Sequence, residues 1–248
     1  MTSAITDYRH SHTSADKPRS YSDQFHEARN VKALYWRLEQ QVLDSVLSPM
    51  SLSENATLVD FACGTGRVLG HLQSRFSRAV GVDISEPMIS EARQNVADAE
   101  FFVGDATRGE IHLGFQPDVI TAFRFFLNAQ PELRSEALRW MHENLASSGR
   151  LVCNFHLNPS SLVGLTMNAL KSLRGWDAQP MLSLRESFEL LQAHGFRVKQ
   201  AIGYGYLYYG RRRVWGPMPL LLTIESVMTR CQLLPNLARN FILVAEKA

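Results

Sequence analysis

The stretch LVDFACGTGRVLGHL, Leu58 to Leu72, followed by AVGVDIS, Ala79 to Ser85, constrains this chain more than any other. An apolar run closed by Asp60, a glycine turn, a helical pattern and a second apolar run closed by Asp83 predict strand, turn, helix and strand in that order. A glycine turn at such a junction lets backbone N–H groups approach a ligand closely, and the acid ending the second strand can accept from a ribose diol. Asp83 stands 19 residues beyond Gly64, near the ~20 expected of a ribose-reading acid. A pyrophosphate-binding turn needs G-x-G-x-x-G, or Ala at the last position, so that helix and strand pack closely. Counted from Gly64 and Gly66 the third position is Leu69; counted one step earlier the three positions are Ala62, Gly64 and Arg67. Neither register fits. Asp60 would repel a pyrophosphate but suits a nucleoside ligand carrying an amino group and a sulfonium.

The rest of the chain repeats the alternation. Strands are expected at Thr57 to Phe61, Ala79 to Asp83, Ala99 to Val103, Val119 to Ala122, Arg150 to Phe155, Arg197 to Tyr209 and Asn240 to Ala245. That pattern is α/β: a seven-stranded, mostly parallel sheet with helices on both faces. Ser85 can cap a helix with Pro87 in its first turn and Ile89, Ala92 and Val96 inward, while Ser183-Leu184-Arg185-Glu186 reads as a capping box stopped at Gly195. Pro131 to Ala146 places Leu133, Ala137, Met141 and Leu145 at helical spacing. Asn30 to Leu47 repeats Val31, Leu34, Leu38, Val42 and Val46, an amphipathic helix on which Tyr35 and Arg37 are candidates to face something else. The expected organisation is a flexible N-terminus and helical lid over residues 1–50, then one domain over 51–248. Within that domain lie an insertion at 157–182, after the fifth strand, and a basic and aromatic acceptor-side segment at 205–239.

Composition narrows the setting. Cys63, Cys153 and Cys231 lack metal-site spacing and are too few for a disulfide framework, so no metal is expected and a reducing cytoplasm is the simplest setting. The longest apolar run, VWGPMPLLLTI from Val214, is broken by Gly216, Pro217 and Pro219 and falls short of the ~20 residues a spanning helix needs. The N-terminal residues have neither the apolar core nor the cleavage signature of a leader. Charge is uneven: 15 Lys/Arg against 19 Asp/Glu in residues 1–150, but 11 against 5 in residues 151–248, with Arg211 to Arg213 in the basic part. A solvated arginine-rich loop accounts for that excess; a basic rim beside an anionic acceptor, a membrane surface or RNA is the functional reading.

Four segments carry a family resemblance. VDFACGTGR resembles the first motif of the class I S-adenosylmethionine-dependent methyltransferases, an acid followed by small residues at alternate positions: Asp60, Ala62, Gly64 and Gly66. GVDIS resembles the second motif, which implies that Asp83 holds both ribose hydroxyls. FFVGDAT, Phe102 to Thr107, resembles the third, which implies that Asp105 takes the adenine amino group and that the Ala106 N–H faces a ring nitrogen. PDVITAFRFF, from Pro117, matches the fourth strand, after which the Ala122 to Arg124 backbone would touch the methionine moiety. The resemblance covers residues 56–156 and implies a Rossmann-like sheet with S-adenosylmethionine as cofactor. It also places Cys63, Ile84, Met88, Gly104 and Phe123 beside the cofactor, with Tyr21 of YSDQF contributing from the lid. Each piece alone has a plainer account, as tight turn, cap or turn former; the four in order do not.

The acceptor is less legible. Acceptor groups in such folds come from loops beyond the C-terminal strand ends, which points to Arg124, Phe125, Phe126 and Asn128 after the fourth strand and to His156 and Asn158 after the fifth. His156 is the base candidate by location, with a structural histidine as the alternative; Arg124 could pair with an acidic acceptor or simply cover the sheet end. Phe125 and Phe126 belong more often to a core, so at least one should pack inward. YGYLYYGRRRVWGPMPLLL, Tyr204 to Leu222, reads either as strand packing or as an aromatic wall with a basic rim. Enzymes that methylate nucleobase amines resemble one another in an Asn or Asp, two prolines and an aromatic after the fourth strand, where this chain has Ala122-Phe123-Arg124-Phe125. No cysteine follows a proline, as a cytosine-C5 nucleophile would. The expectation is methyl transfer to the oxygen or nitrogen of a small-molecule acceptor, natural-product, quinone-like or lipid-linked, with nucleic acid disfavoured and peripheral membrane contact open. RNA methylation and a catalytically silent, cofactor-binding scaffold are the alternatives, and the oligomeric state is not legible.

Overall fold

A computed structural model describes residues 8–10, 30–50, 52–161, 163–166, 181–207, 209, 214–231 and 235–248. Seven strands form one mostly parallel sheet: β1 (Thr57–Phe61), β2 (Arg78–Asp83), β3 (Glu100–Val103), β4 (Val119–Ala122), β5 (Arg150–His156), β6 (Phe196–Tyr204) and β7 (Asn240–Lys247). Their order is β3-β2-β1-β4-β5-β7-β6. The helices are α1 (Val31–Leu47), α2 (Arg67–Leu72), α3 (Glu86–Asn95), α4 (Pro131–Asn144), α5 (Leu184–Ala193) and α6 (Met218–Cys231). The expected α/β fold is present.

The chain packs as two compact units. The first gathers Met1–Ser22 with Leu52–Val152 and Lys247. Here β1 runs parallel to both β2 and β4, and β2 parallel to β3. Leu58 to Phe61 of β1 and all of β4 are buried, which is why both read as unbroken apolar runs apart from Asp60 and Thr121. α3 starts where Ser85 accepts from the Met88 N–H, and α4 starts on Pro131. α4 stops at Asn144, two residues short of the predicted end, because Leu145 turns extended at ψ 139°.

The second unit gathers Asp23–Ser51, Cys153–Glu246 and Ala248. Asn30 caps α1 through the Lys32 N–H, and Ser183 and Glu186 form the predicted capping box on α5. Tyr35 does not face outward: it is buried and stands edge-on to Tyr204 and Tyr209. β6 ends at Tyr204 and not at Tyr209, since Gly205 adopts φ +76° and turns the chain. The carboxylate of Glu225, fully buried on α6, accepts from the N–H groups of Gly205, Tyr206 and Leu207 and from the Tyr209 hydroxyl. That knot holds the turn after β6. The outer face of α6 leaves Leu220, Ile224 and Val227 exposed.

Candidate cofactor and active site

Between β1 and α2 the backbone turns left twice, Ala62 at φ 54° and Gly64 at φ 56°, before Gly66 at φ 78° caps α2. A left-handed alanine costs ~1 kcal/mol or more, a strain that recurs where a binding site over-determines the backbone. The two glycines do different work. A Cβ on Gly66 would meet Val96 Cγ2 at 2.9 Å and Ala92 Cβ at 3.3 Å, so this glycine lets α2 lie close against α3. A Cβ on Gly64 would meet nothing within 4 Å, so this face of the turn is open to a ligand.

Asp60 is buried beneath the turn. Register pairs it with Thr121, whose hydroxyl donates to Asp60 Oδ1 at 2.7 Å. Burial pushes the Asp60 carboxyl up to about 7, against the Thr121 hydrogen bond and the nearby charge of Arg67. Asp83 closes β2 with Oδ2 accepting from the Gly64 N–H at 2.8 Å and Oδ1 from the Ser85 N–H at 2.9 Å. The acid therefore fixes both the glycine turn and the start of α3. Burial raises its pKa, opposed by the backbone N–H groups of Ser85 and Gly64. The buried Cys63 thiol is pushed well up by burial and by the charges of Asp83 and Asp60, which makes it a packing group and not a nucleophile.

Next along the sheet edge, the Gly104 N–H donates to the Asp83 carbonyl at 3.0 Å and leads into Asp105. Asp105 Oδ1 accepts from the N–H and hydroxyl of Thr107, at 2.9 and 2.6 Å, while its own N–H donates to Glu110. Burial alone would raise this carboxyl, but hydrogen bonds from Thr107 and Arg9 and the Arg9 charge hold it below the usual range. Ala106 opens a short 3-10 turn, Ala106–Arg108, where the first N–H has no partner inside the turn. Ile84 and Val103, beside these acids, remain 40% and 38% exposed. These two apolar side chains between Asp83 and Asp105 form an apolar surface open to a flat ligand. Met88, Ala106, Ala122 and Phe123 are buried around them. Tyr21 lies outside the described residues.

Beyond β4, Arg124 sits at φ 59° and its carbonyl accepts from the Asn128 side chain at 2.7 Å. Phe125 and Phe126 both pack inward, Phe125 edge-on to Phe61 and Phe126. In the second unit, His156 ends β5 and is buried. Asn154 Nδ2 lies 3.3 Å from Glu39 Oε1, and the same nitrogen faces His156 Nε2 at 3.4 Å. With the amide nitrogen turned to a carboxylate, that nitrogen is the donor in its contact with His156 Nε2. Asn158 is spent on structure, donating to the carbonyls of Asn236 and Ala238. Among the tyrosines of the acceptor-side segment, Tyr204, Tyr206 and Tyr209 are buried. Tyr208 and Arg211 to Arg213 lie outside the described residues. Sequence reasoning missed Arg9, Glu39, Thr121 and Glu225, each of which meets its partner only through the fold.

Comparison with known proteins decides what this turn belongs to. Residues 58–149 match the family model for a methyltransferase domain. The chain carries a methyltransferase domain. Its motifs resemble those of the class I S-adenosylmethionine-dependent enzymes, and the comparisons support S-adenosylmethionine as the cofactor. A Streptomyces venezuelae sugar-nucleotide enzyme, dTDP-3-amino-3,4,6-trideoxy-alpha-D-glucopyranose N,N-dimethyltransferase, is 40% identical over 52 residues, 21% of this chain and 22% of that one. The trans-aconitate 2-methyltransferase of Variovorax paradoxus is 36% identical over 29% of this chain and 30% of its own. The chain spans about half or less of the curated relatives it matches. In fold, the chain resembles the magnesium protoporphyrin IX methyltransferase of Synechocystis with bound S-adenosylhomocysteine, at a TM-score of 0.59 and 17% identity over 88% of this chain and 85% of that chain. Among the described residues no group of three or more His, Cys, Asp or Glu side chains could hold a metal ion, and no helix is long and apolar enough to cross a membrane.

Proposed function

We propose that the protein transfers the methyl group of S-adenosylmethionine to an oxygen or nitrogen of a small-molecule acceptor. One observation carries the reading: Gly64, where a Cβ would meet nothing within 4 Å, donates its N–H to Asp83 in the turn that follows the buried acid Asp60. Asp83 would hold the ribose diol, Asp105 and Ala106 the adenine edge, and Ile84 a face of the base, while Met88, Cys63, Gly104 and Phe123 close the walls. Asp60 and the backbone from Ala122 to Arg124 would meet the amino acid end, where an anionic carboxylate favours an ammonium and a sulfonium. The bound donor supplies an already activated methyl group.

Catalysis can then rest on holding the acceptor in line and excluding water. A base is needed only for an oxygen acceptor of high pKa, and a neutral amine needs only to be held deprotonated. His156 and Arg124 keep their places as acceptor-side candidates, each beyond a strand end of its own unit. With Nε2 engaged by Asn154, His156 is better suited to positioning an acceptor than to taking a proton at that nitrogen. His156→Ala should therefore lower turnover without removing a pKa near 6.5 from the kcat profile; loss of that pKa would assign it as the base.

Acceptor class follows from two supports. The named relatives act on an amino-sugar nucleotide and on trans-aconitate. Among the described residues after β6, Tyr206 and Tyr209 are buried and are not offered to RNA bases for stacking. Calorimetry tests the donor reading: S-adenosylmethionine or S-adenosylhomocysteine should bind in the micromolar range, with loss on Asp83→Ala. Tight binding of NAD instead would overturn it.

A further inference from the structure

A 3-10 turn at Tyr8–His10 lies across the adenine-reading end of the first unit. Arg9 Nε donates to Asp105 Oδ2 at 2.7 Å, and Arg9 Nη2 donates to Thr107 Oγ1 at 2.9 Å and to Glu136 Oε2 at 2.5 Å. The Tyr8 N–H donates to Gln130, and its ring stands edge-on to Phe125 at 6.1 Å. This is no loose surface pair: the Arg9 side chain is 12% exposed and that of Asp105 7%.

A carboxylate offers about four lone-pair positions. In Asp105, Thr107 fills two from Oδ1 and Arg9 takes one on Oδ2, while Arg108 Nε stands 3.5 Å from that same oxygen. Three of the four positions are therefore taken, and the one left lies on the oxygen that both guanidinium groups face, so an incoming amino group must compete there with Arg9. Thr107 is two residues away in the chain and Arg108 three; Arg9 is 96 residues away and belongs to a short separate turn. Arg9 is the partner that can leave without unfolding the sheet edge.

We infer that the Tyr8–Arg9 turn is a self-made latch on the adenine end of the donor site, and that the donor must displace it to bind. The inference rests on the donor reading above. A site whose competent form is only fractionally populated binds more weakly by that fraction, so removing the latch strengthens binding. The pairing with Glu136 anchors the guanidinium from α4 and stabilises the latched form.

Two measurements on the full chain test it. In calorimetry with S-adenosylhomocysteine, Arg9→Ala should tighten the apparent Kd by ~10-fold, and Glu136→Gln should tighten it less. In limited trypsin digestion read by mass spectrometry, cleavage between Arg9 and His10 should be slow in the free protein and speed up when S-adenosylhomocysteine is added. Equal or weaker binding by Arg9→Ala, or slower cleavage on adding ligand, would overturn the latch while leaving the donor reading intact. Absence of binding by both wild type and Arg9→Ala would overturn the donor reading, and the latch with it.

Discussion

Two glycines of one turn, Gly64 and Gly66, separate binding from stability. Gly64→Ala places a methyl where nothing lies within 4 Å, so it should weaken donor binding by at least ~10-fold at a stability cost of only ~1 kcal/mol from its left-handed φ. Gly66→Ala adds the approach to Val96 at 2.9 Å to the same strain, and should cost ~1–3 kcal/mol in urea denaturation. Asp60 carries a second prediction. Its carboxyl, raised to about 7 from an ordinary 3.8, is neutral at low pH in the folded protein and ionised in the unfolded chain above about pH 4. Stability from this group is therefore present below about pH 4 and lost as pH rises toward 7. A cationic ligand favours the ionised form, so donor affinity should rise ~10-fold per pH unit up to about 7 and level off above it. Titration calorimetry across that range should show the slope in wild type and its loss in Asp60→Asn. At this scale the sequence is most informative where spacing is local: Gly64 and Gly66 fall in the turn after β1 and Asp83 at the end of β2. Arg9, Thr121 and Glu39 were invisible because nothing nearby in the chain distinguishes them from surface arginine, strand threonine and helix glutamate.

Elements with a cap or an uninterrupted apolar run were read closely. β1 and β4 have their predicted ends, and the caps at Asn30, Ser85 and Ser183 are all made. The predicted strand from Arg197 ran five residues too far because the alternating tyrosines continue a strand pattern past Gly205, while the left-handed turn there and the Glu225 knot are not periodic features. The tyrosines pack: Tyr204 donates to Glu39 at 2.9 Å and Tyr209 to Glu225. Glu225→Ala would strand three backbone N–H groups and the Tyr209 hydroxyl, and should cost ~3–5 kcal/mol in denaturant unfolding. Glu225→Gln, which keeps an acceptor oxygen, should cost less.

Across the whole molecule, ligand binding reports on folding. S-adenosylhomocysteine at about 100 times its Kd should stabilise the chain by ~2.7 kcal/mol and raise the Tm by ~5–10 °C, with no such shift from NAD. Incubating labelled donor with a metabolite extract should yield a labelled small product; a chain that binds donor yet labels nothing would be a scaffold and not an enzyme. The sequence by itself determined the strand-turn-helix-strand frame, the exclusion of a dinucleotide turn and the kind of donor, because backbone conformation and ligand charge there depend on residues close together in the chain. Only the tertiary structure decided which polar groups are free for a ligand. Asp105 is engaged by a residue 96 positions away, His156 by an amide itself held by Glu39, and Tyr204, Tyr206 and Tyr209 by packing. Burial and long-range pairing set those roles, and no local pattern encodes them.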